Sequence, residues 1–153
     1  GEFDTALLVA GGLGVAPLPL LTSALERSSK RIATFLGART KDQLVPTLLR
    51  NVRAATDDGS EGFAGTVVAL LESELHTYPR PKIFACGPNP MLAALAELAA
   101  KRGLPCELSL ESVMACGIGI CQGCPVEQRG GERKYALICK EGPVFDATTI
   151  KVS

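Results

Sequence analysis

The stretch Ala6-Leu7-Leu8-Val9-Ala10-Gly11-Gly12-Leu13-Gly14-Val15-Ala16-Pro17 decides the fold. Five consecutive apolar residues without polar alternation predict a strand buried on both faces, as in a parallel sheet covered by helices. Three glycines then fall within four positions, and Pro17 suits a first helical turn, where no N–H is needed. Residues 17–27 carry apolar side chains at helical spacing, and residues 31–37 return to β-branched and aromatic types. These segments together predict one βαβ unit.

The alternation continues to Leu110. The pattern predicts a helix over 45–50, a strand over 52–56, a turn at Asp57-Asp58-Gly59-Ser60, and a helix over 65–74. A strand over 82–86, a helix over 89–101 stopped by Gly103, and a strand over 106–110 follow. Five strands with interleaved helices predict an α/β fold, a five-stranded doubly wound parallel sheet spanning residues 1–110. From Met114 onward Gly117, Gly119, Gly123, Gly130, Gly131 and Gly142 interrupt short β-like stretches such as 135–139. Residues 111–153 are therefore expected to form a small cysteine-rich β domain that buries little core and needs a metal to stay folded.

Composition narrows the function classes. In 153 residues the 16 basic and 16 acidic side chains cancel, and no basic run offers the footprint of a nucleic-acid or acidic-membrane binder. Glycine and proline break every apolar run well short of the roughly 20 residues a spanning helix needs. Gly1 to Thr5 include two acids and do not read as a secretion signal. Cytoplasmic location, with no membrane and no nucleic acid as partner, is the expectation.

Four of the six cysteines, Cys116, Cys121, Cys124 and Cys139, are spaced C-x4-C-x2-C and then a distant fourth across a predicted hairpin. A disulfide framework is a poor explanation, because a large apolar core exists without it. The spacing is that of plant-type [2Fe-2S] ferredoxins. Three thiolates from one short loop must converge on a two-iron core, and glycines allow the positive φ that brings backbone N–H groups toward sulfur. Structural zinc also takes four thiolates, but generally as two C-x2-C-like pairs. Cys106 opens an apolar strand and reads as a small buried hydrophobe.

The turn holding Gly11, Gly12, Gly14, Ala16 and Pro17 is close to the Rossmann phosphate fingerprint, with proline where a third glycine would stand. A second turn, Cys86-Gly87-Pro88-Asn89-Pro90-Met91, also ends an apolar strand, where ligands of open α/β sheets collect. Two such turns on one sheet edge suggest one dinucleotide, an ordinary tight turn being the plain alternative. Cys86 is either a buried strand residue or a thiol facing the nicotinamide. His76, the only histidine, reads as a surface residue.

Taken together these motifs closely resemble the electron-transfer subunits of dihydroorotate dehydrogenase B, a family of ferredoxin-reductase-like flavoproteins. The resemblance spans essentially the whole chain and includes Gly37-Ala38-Arg39-Thr40-Lys41-Asp42 and the closing Ile138-Cys139-Lys140-Glu141-Gly142-Pro143-Val144-Phe145. It implies electron passage between NAD and a dihydroorotate-oxidising FMN subunit by way of FAD and the cluster. It also implies that Cys116 and Cys121 share one iron, and Cys124 and Cys139 the other. Two departures stand out. Nothing corresponds to the family's N-terminal barrel, which holds most of the FAD, so the chain is expected to be truncated. Ser112-Val113 stands where the family usually has Glu-Arg, which leaves open a neighbouring NAD(P)H-linked subunit, such as a sulfide dehydrogenase or ferredoxin reductase. Related NADP enzymes grip the extra phosphate with a serine-arginine pair where this chain has Asp57 and Asp58, so NAD is the expected cofactor, with Arg39 and Lys41 as competing positive charge and an exposed acidic turn as the plain alternative.

Overall fold

A computed structural model describes residues 2–130 and 133–152. Gly131, one of the interrupting glycines, lies outside them. The central strand is β1 (Thr5–Gly11), every residue of which is buried. It runs parallel to β2 (Arg31–Ala38) on one side and β5 (Pro81–Cys86) on the other, with Val9 opposite both Phe35 and Ala85. Further strands are β3 (Val52–Thr56), β4 (Phe63–Ala64), β6 (Cys106–Ser109) and β9 (Val144–Asp146), giving the order β4-β3-β2-β1-β5-β6-β9. The five strands expected from the sequence are present, and two short ones extend the sheet to seven.

Strand alternation sorts the core into two layers. Ala6, Leu8 and Ala10 face α1 (Leu18–Arg27), packing with its Leu18 and Leu25. Leu7 and Val9 face the other way, onto Leu70 and Leu71 of α2 (Val67–Glu74) and Leu92, Leu95 and Leu98 of α3 (Asn89–Arg102). Each fully buried leucine contributes roughly 1.5–3 kcal/mol relative to exposure. The helix ends follow local chemistry. Thr66 caps α2 by accepting the Ala69 N–H at 3.1 Å. Gly103 ends α3 in the left-handed region at φ 64°, while the Leu104 N–H reaches back to the Ala99 carbonyl at 2.9 Å.

Three expectations are corrected. No helix forms over 45–50: Pro46 cannot donate a backbone N–H, Leu48 takes φ 62°, and the segment is a turn that tucks Leu49 under the α1 layer. A single 3-10 turn over Gly12–Val15 stands between β1 and α1, so the helix begins at Leu18. The cysteine-rich segment also buries more than its composition suggested. Its three-stranded sheet, β10-β7-β8 (Ile150–Lys151, Pro125–Gln128 and Tyr135–Leu137), sends Val126, Ala136 and Ile150 into the same core as Leu108 and Leu110. Its β9 pairs antiparallel with β6, Phe145 opposite Leu108.

The tightest packing lies between the two glycine turns. A Cβ on Gly14 would stand 2.1 Å from the Cys86 carbonyl oxygen and 2.6 Å from the Gly87 nitrogen. Both neighbours are backbone, so relief requires β1 and β5 to part at their ends. Gly14→Ala should therefore destabilise the protein by about 2 kcal/mol or more and lower the thermal midpoint by roughly 5 °C or more. An unchanged melting curve would contradict the contact.

Candidate cofactor-binding sites

The nucleotide candidate lies where the chain leaves β1 for β2 on one side while β5 occupies the other. At this switch point ligands of open α/β sheets gather beyond the strand ends. A cavity of about 600 Å³ opens there. Its walls include Gly11, Gly12, Pro88 and Asp57 among the residues picked out in the sequence. Gly14, Ala16, Pro17, Cys86 and Gly87 do not line it. Gly14 packs beneath the second turn, and a Cβ on Gly87 would meet the Met91 methyl at 2.7 Å and the Gly11 nitrogen at 3.0 Å. These two glycines allow the two turns to touch, which is a structural role beside the cavity.

The remaining walls come from Arg39, Gln43, Thr66, Val67 and Met91. Two crossing loops fix the polar end. The Asp57 and Asp58 N–H groups donate to the Ala38 and Arg39 carbonyls at 3.0 and 3.2 Å. The Lys41 N–H donates to Ser60 Oγ at 2.9 Å, and the Ser60 hydroxyl donates to Asp58 at 2.6 Å. That hydroxyl, helped by the Ser60 N–H, holds the Asp58 carboxyl below its ordinary range. Asp58 is thus occupied locally, while the neighbouring Asp57 faces the cavity. Thr66 and Gln43 carried no sequence signal for this site. Met91 did, through its place in the second glycine turn.

Cys86 is buried at the end of β5, where burial pushes its thiol pKa up against a hydrogen bond with Ser109. Of its two open readings, the burial is that of a strand residue. His76 is exposed, as expected.

The second candidate is the loop from Cys116 to Cys124, closed by Cys139. Gly117 and Gly119 take φ 67° and 82°, and Gln122 takes φ 60°, so the loop coils back on itself. Backbone N–H groups then point at sulfur: Cys121 N–H to Cys116 Sγ at 3.4 Å, Gly123 N–H to Cys121 Sγ at 3.4 Å, and Cys139 N–H to Cys124 Sγ at 3.5 Å. Donation from the Cys121 and Ile118 N–H groups, then from the Cys121 thiol, lowers the Cys116 pKa to about 6. The Cys139 thiol is held up, first by its hydrogen bond with Cys124 and then by desolvation. The four sulfurs therefore fall into two pairs, 116 with 121 and 124 with 139. Among the described residues no three His, Cys, Asp or Glu side chains close on a single ion. Two thiol pairs are the donor set a two-iron core takes, each iron receiving two thiolates. Cys139 sits in a short helix, α4 (Ile138–Glu141), directly after β8, where the sequence had suggested continued strand.

Residues 111–151 match the family described as the iron-sulfur cluster binding domain of dihydroorotate dehydrogenase B. The chain is 40% identical over 146 residues to the Bacillus caldolyticus dihydroorotate dehydrogenase B (NAD(+)) electron transfer subunit, covering 93% of this chain and 55% of that protein. It is 36% identical over 152 residues to a probable electron transfer subunit of the same enzyme from Methanocaldococcus jannaschii, covering 97% and 57%. The chain thus resembles these subunits over nearly all its own length and spans about half of theirs. Among solved structures, an NADH-dependent reduced ferredoxin-NADP oxidoreductase superposes with a TM-score of 0.85 at 29% identity, over 99% of this chain and 56% of that one. No described helix is long and apolar enough to cross a membrane.

The thiols differ sharply in reactivity. Burial, reinforced by Asp146 and Glu107, pushes the Cys106 pKa up to about 12. In protein stripped of metal, brief alkylation at pH 7 should modify Cys116 faster than Cys106 by about a hundredfold or more. Peptide mapping by mass spectrometry reads the ratio, and comparable rates would contradict the burial of Cys106.

Proposed function

We propose that this chain moves electrons between NAD(H), FAD and a partner flavoprotein through a [2Fe-2S] cluster, as part of an NAD-linked oxidoreductase of pyrimidine biosynthesis. The partner in this reading is the FMN-containing catalytic subunit that oxidises dihydroorotate, and the setting is the cytoplasm. The observation that carries it is the pairing of Cys116 with Cys121 and of Cys124 with Cys139, in a segment matching an iron-sulfur domain of that enzyme. The same match supports a functional division at Leu110, with dinucleotide binding in residues 1–110 and cluster binding in 111–153.

Bound between the thiol pairs, the cluster would accept and release electrons singly, while flavin and nicotinamide exchange them in pairs. The protein's part is positional and electrostatic. Cys116, Cys121, Cys124 and Cys139 supply the thiolates, and the amides of Cys121, Gly123 and Cys139 offset the charge on sulfur. In the dinucleotide cavity Gly11, Gly12 and Pro88 leave backbone accessible beside the pyrophosphate, with Gly14, Ala16, Pro17, Cys86 and Gly87 holding the two turns in register. Asp57 lies at the adenosine end and repels the extra phosphate of NADP.

A second reading rests on Ser112-Val113 and on the superposition with a ferredoxin-NADP oxidoreductase: a subunit of another NAD(P)H-linked iron-sulfur flavoprotein. Dihydroorotate-dependent NAD reduction with a catalytic subunit from the same genome decides between the two. A zinc-stabilised binding module would reveal itself as a colourless protein containing zinc.

Two outcomes test the reading directly. Cys121→Ser should abolish or degrade the visible cluster absorption while leaving the far-ultraviolet dichroism of the α/β core intact; an unchanged spectrum overturns the ligand assignment. Asp57→Asn should narrow the preference for NADH over NADPH by roughly three- to tenfold, the worth of one partly screened charge. Competitive binding measures it, and an unchanged ratio removes Asp57 from the site.

A further inference from the structure

Beside the thiol loop lies a cation that none of the contacts above uses. Lys140 directly follows Cys139 in α4, and its side chain folds across the loop. A Cβ on Gly119 would meet Lys140 Cδ at 3.2 Å and Lys140 Cβ at 3.7 Å. Gly119 is the residue at which the loop turns back with φ 82°, and its N–H reaches the Cys139 sulfur. The lysine stem therefore covers the segment between Cys116 and Cys121, while its exposed head stays in solvent.

The surrounding charges leave one positive charge over, because the single carboxylate of Glu141 faces both Arg133 and Lys140. Lys140 takes part in none of the ion pairs among the described residues, whereas Arg133 pairs with Glu141. The Glu141 carboxylate also accepts the Leu137 N–H. Two cations, Arg133 and Lys140, and one carboxylate, Glu141, share the small cavity they line with Gly119 and Gln122. A net positive charge remains at the rim of a centre made of four thiolates.

We propose that Lys140 raises the reduction potential of the cluster by electrostatic stabilisation of its reduced form. This rests on the cluster reading above and specifies how the site is tuned. Reduction adds one electron to an already anionic centre, one ferric ion becoming ferrous, with no bond made or broken and no proton moved. A fixed cation nearby favours the state carrying the extra negative charge, and local charge is one of the levers on such potentials. Because the head is exposed, solvent screening keeps the effect moderate.

The test is a dithionite titration of the anaerobically purified chain, with redox mediators and the cluster followed by absorbance and electron paramagnetic resonance. Lys140→Arg should leave the midpoint where it is. Lys140→Gln should lower the reduction equilibrium constant about fourfold, roughly 35 mV at 59 mV per tenfold. Lys140→Glu should lower it about sixteenfold, roughly 70 mV on the same scale. The differences should shrink in 1 M salt, where the Debye length is about 3 Å. If the reversal variant assembles no cluster, Lys140→Gln decides alone. Unchanged midpoints in variants with normal cluster spectra overturn the inference, as does Lys140→Arg behaving like Lys140→Gln, which would assign the effect to stem packing. A preparation without iron and acid-labile sulfide overturns the cluster reading itself, and this inference with it.

Discussion

The arrangement depends on one close approach, the Gly14 backbone against the Cys86 carbonyl at the ends of β1 and β5. Parallel strands with helices on both faces leave a crevice where neighbouring connections diverge. Here two glycine turns fill its floor and leave its mouth open. No side chain fits between them, so the strand ends stay at sheet spacing and the cavity above keeps its width. Even alanine at position 14 would occupy the volume that lets the second turn sit beside the first.

The two candidate sites are held by different physics. The cavity beyond β1 and β5 is preformed by the sheet, its polar end set by backbone hydrogen bonds between the loops after β2 and β3. The thiol loop has no regular structure between Leu110 and Cys124 and is shaped by positive-φ residues and by amides turned toward sulfur. Its anchors lie outside it. Val126, Ala136, Ile138 and Ile150 bind the flanking strands and α4 to the main core.

Much of this was legible in the sequence, for reasons that can be named. The apolar run before Gly11 could be buried on both faces only in a covered sheet, and the α1 and α3 patterns had the period and the stop signals of helices. The candidate thiols were marked by the C-x4-C-x2-C spacing with a distant fourth, and their division into two pairs was what the family resemblance implied. What failed was local pattern overridden by backbone chemistry or by distant pairing. Residues 45–50 looked helical by apolar spacing, but Pro46 and the positive φ of Leu48 make a turn. The two residues of β4 and three of β9 are too short to show a period, and their pairing is decided by β3 and β6. Thr66 and Gln43 reach the cavity from remote segments, a convergence set by topology and invisible to a motif.

The pairing of β9 with β6 has a consequence for how the two candidate sites are spaced. β6 lies beside β5, Ser109 opposite Cys86, so the stretch leading into the thiol loop starts from the sheet edge that carries the second glycine turn. Up to Ser109 that edge is held by peptide ladders, and the irregular loop carrying the thiols begins just beyond it. A carrier on a mobile arm is slowed by thick solvent because it must diffuse between donor and acceptor. In the proposed relay the sheet part of the spacing is structural, so syrup and water should look the same to an electron crossing it.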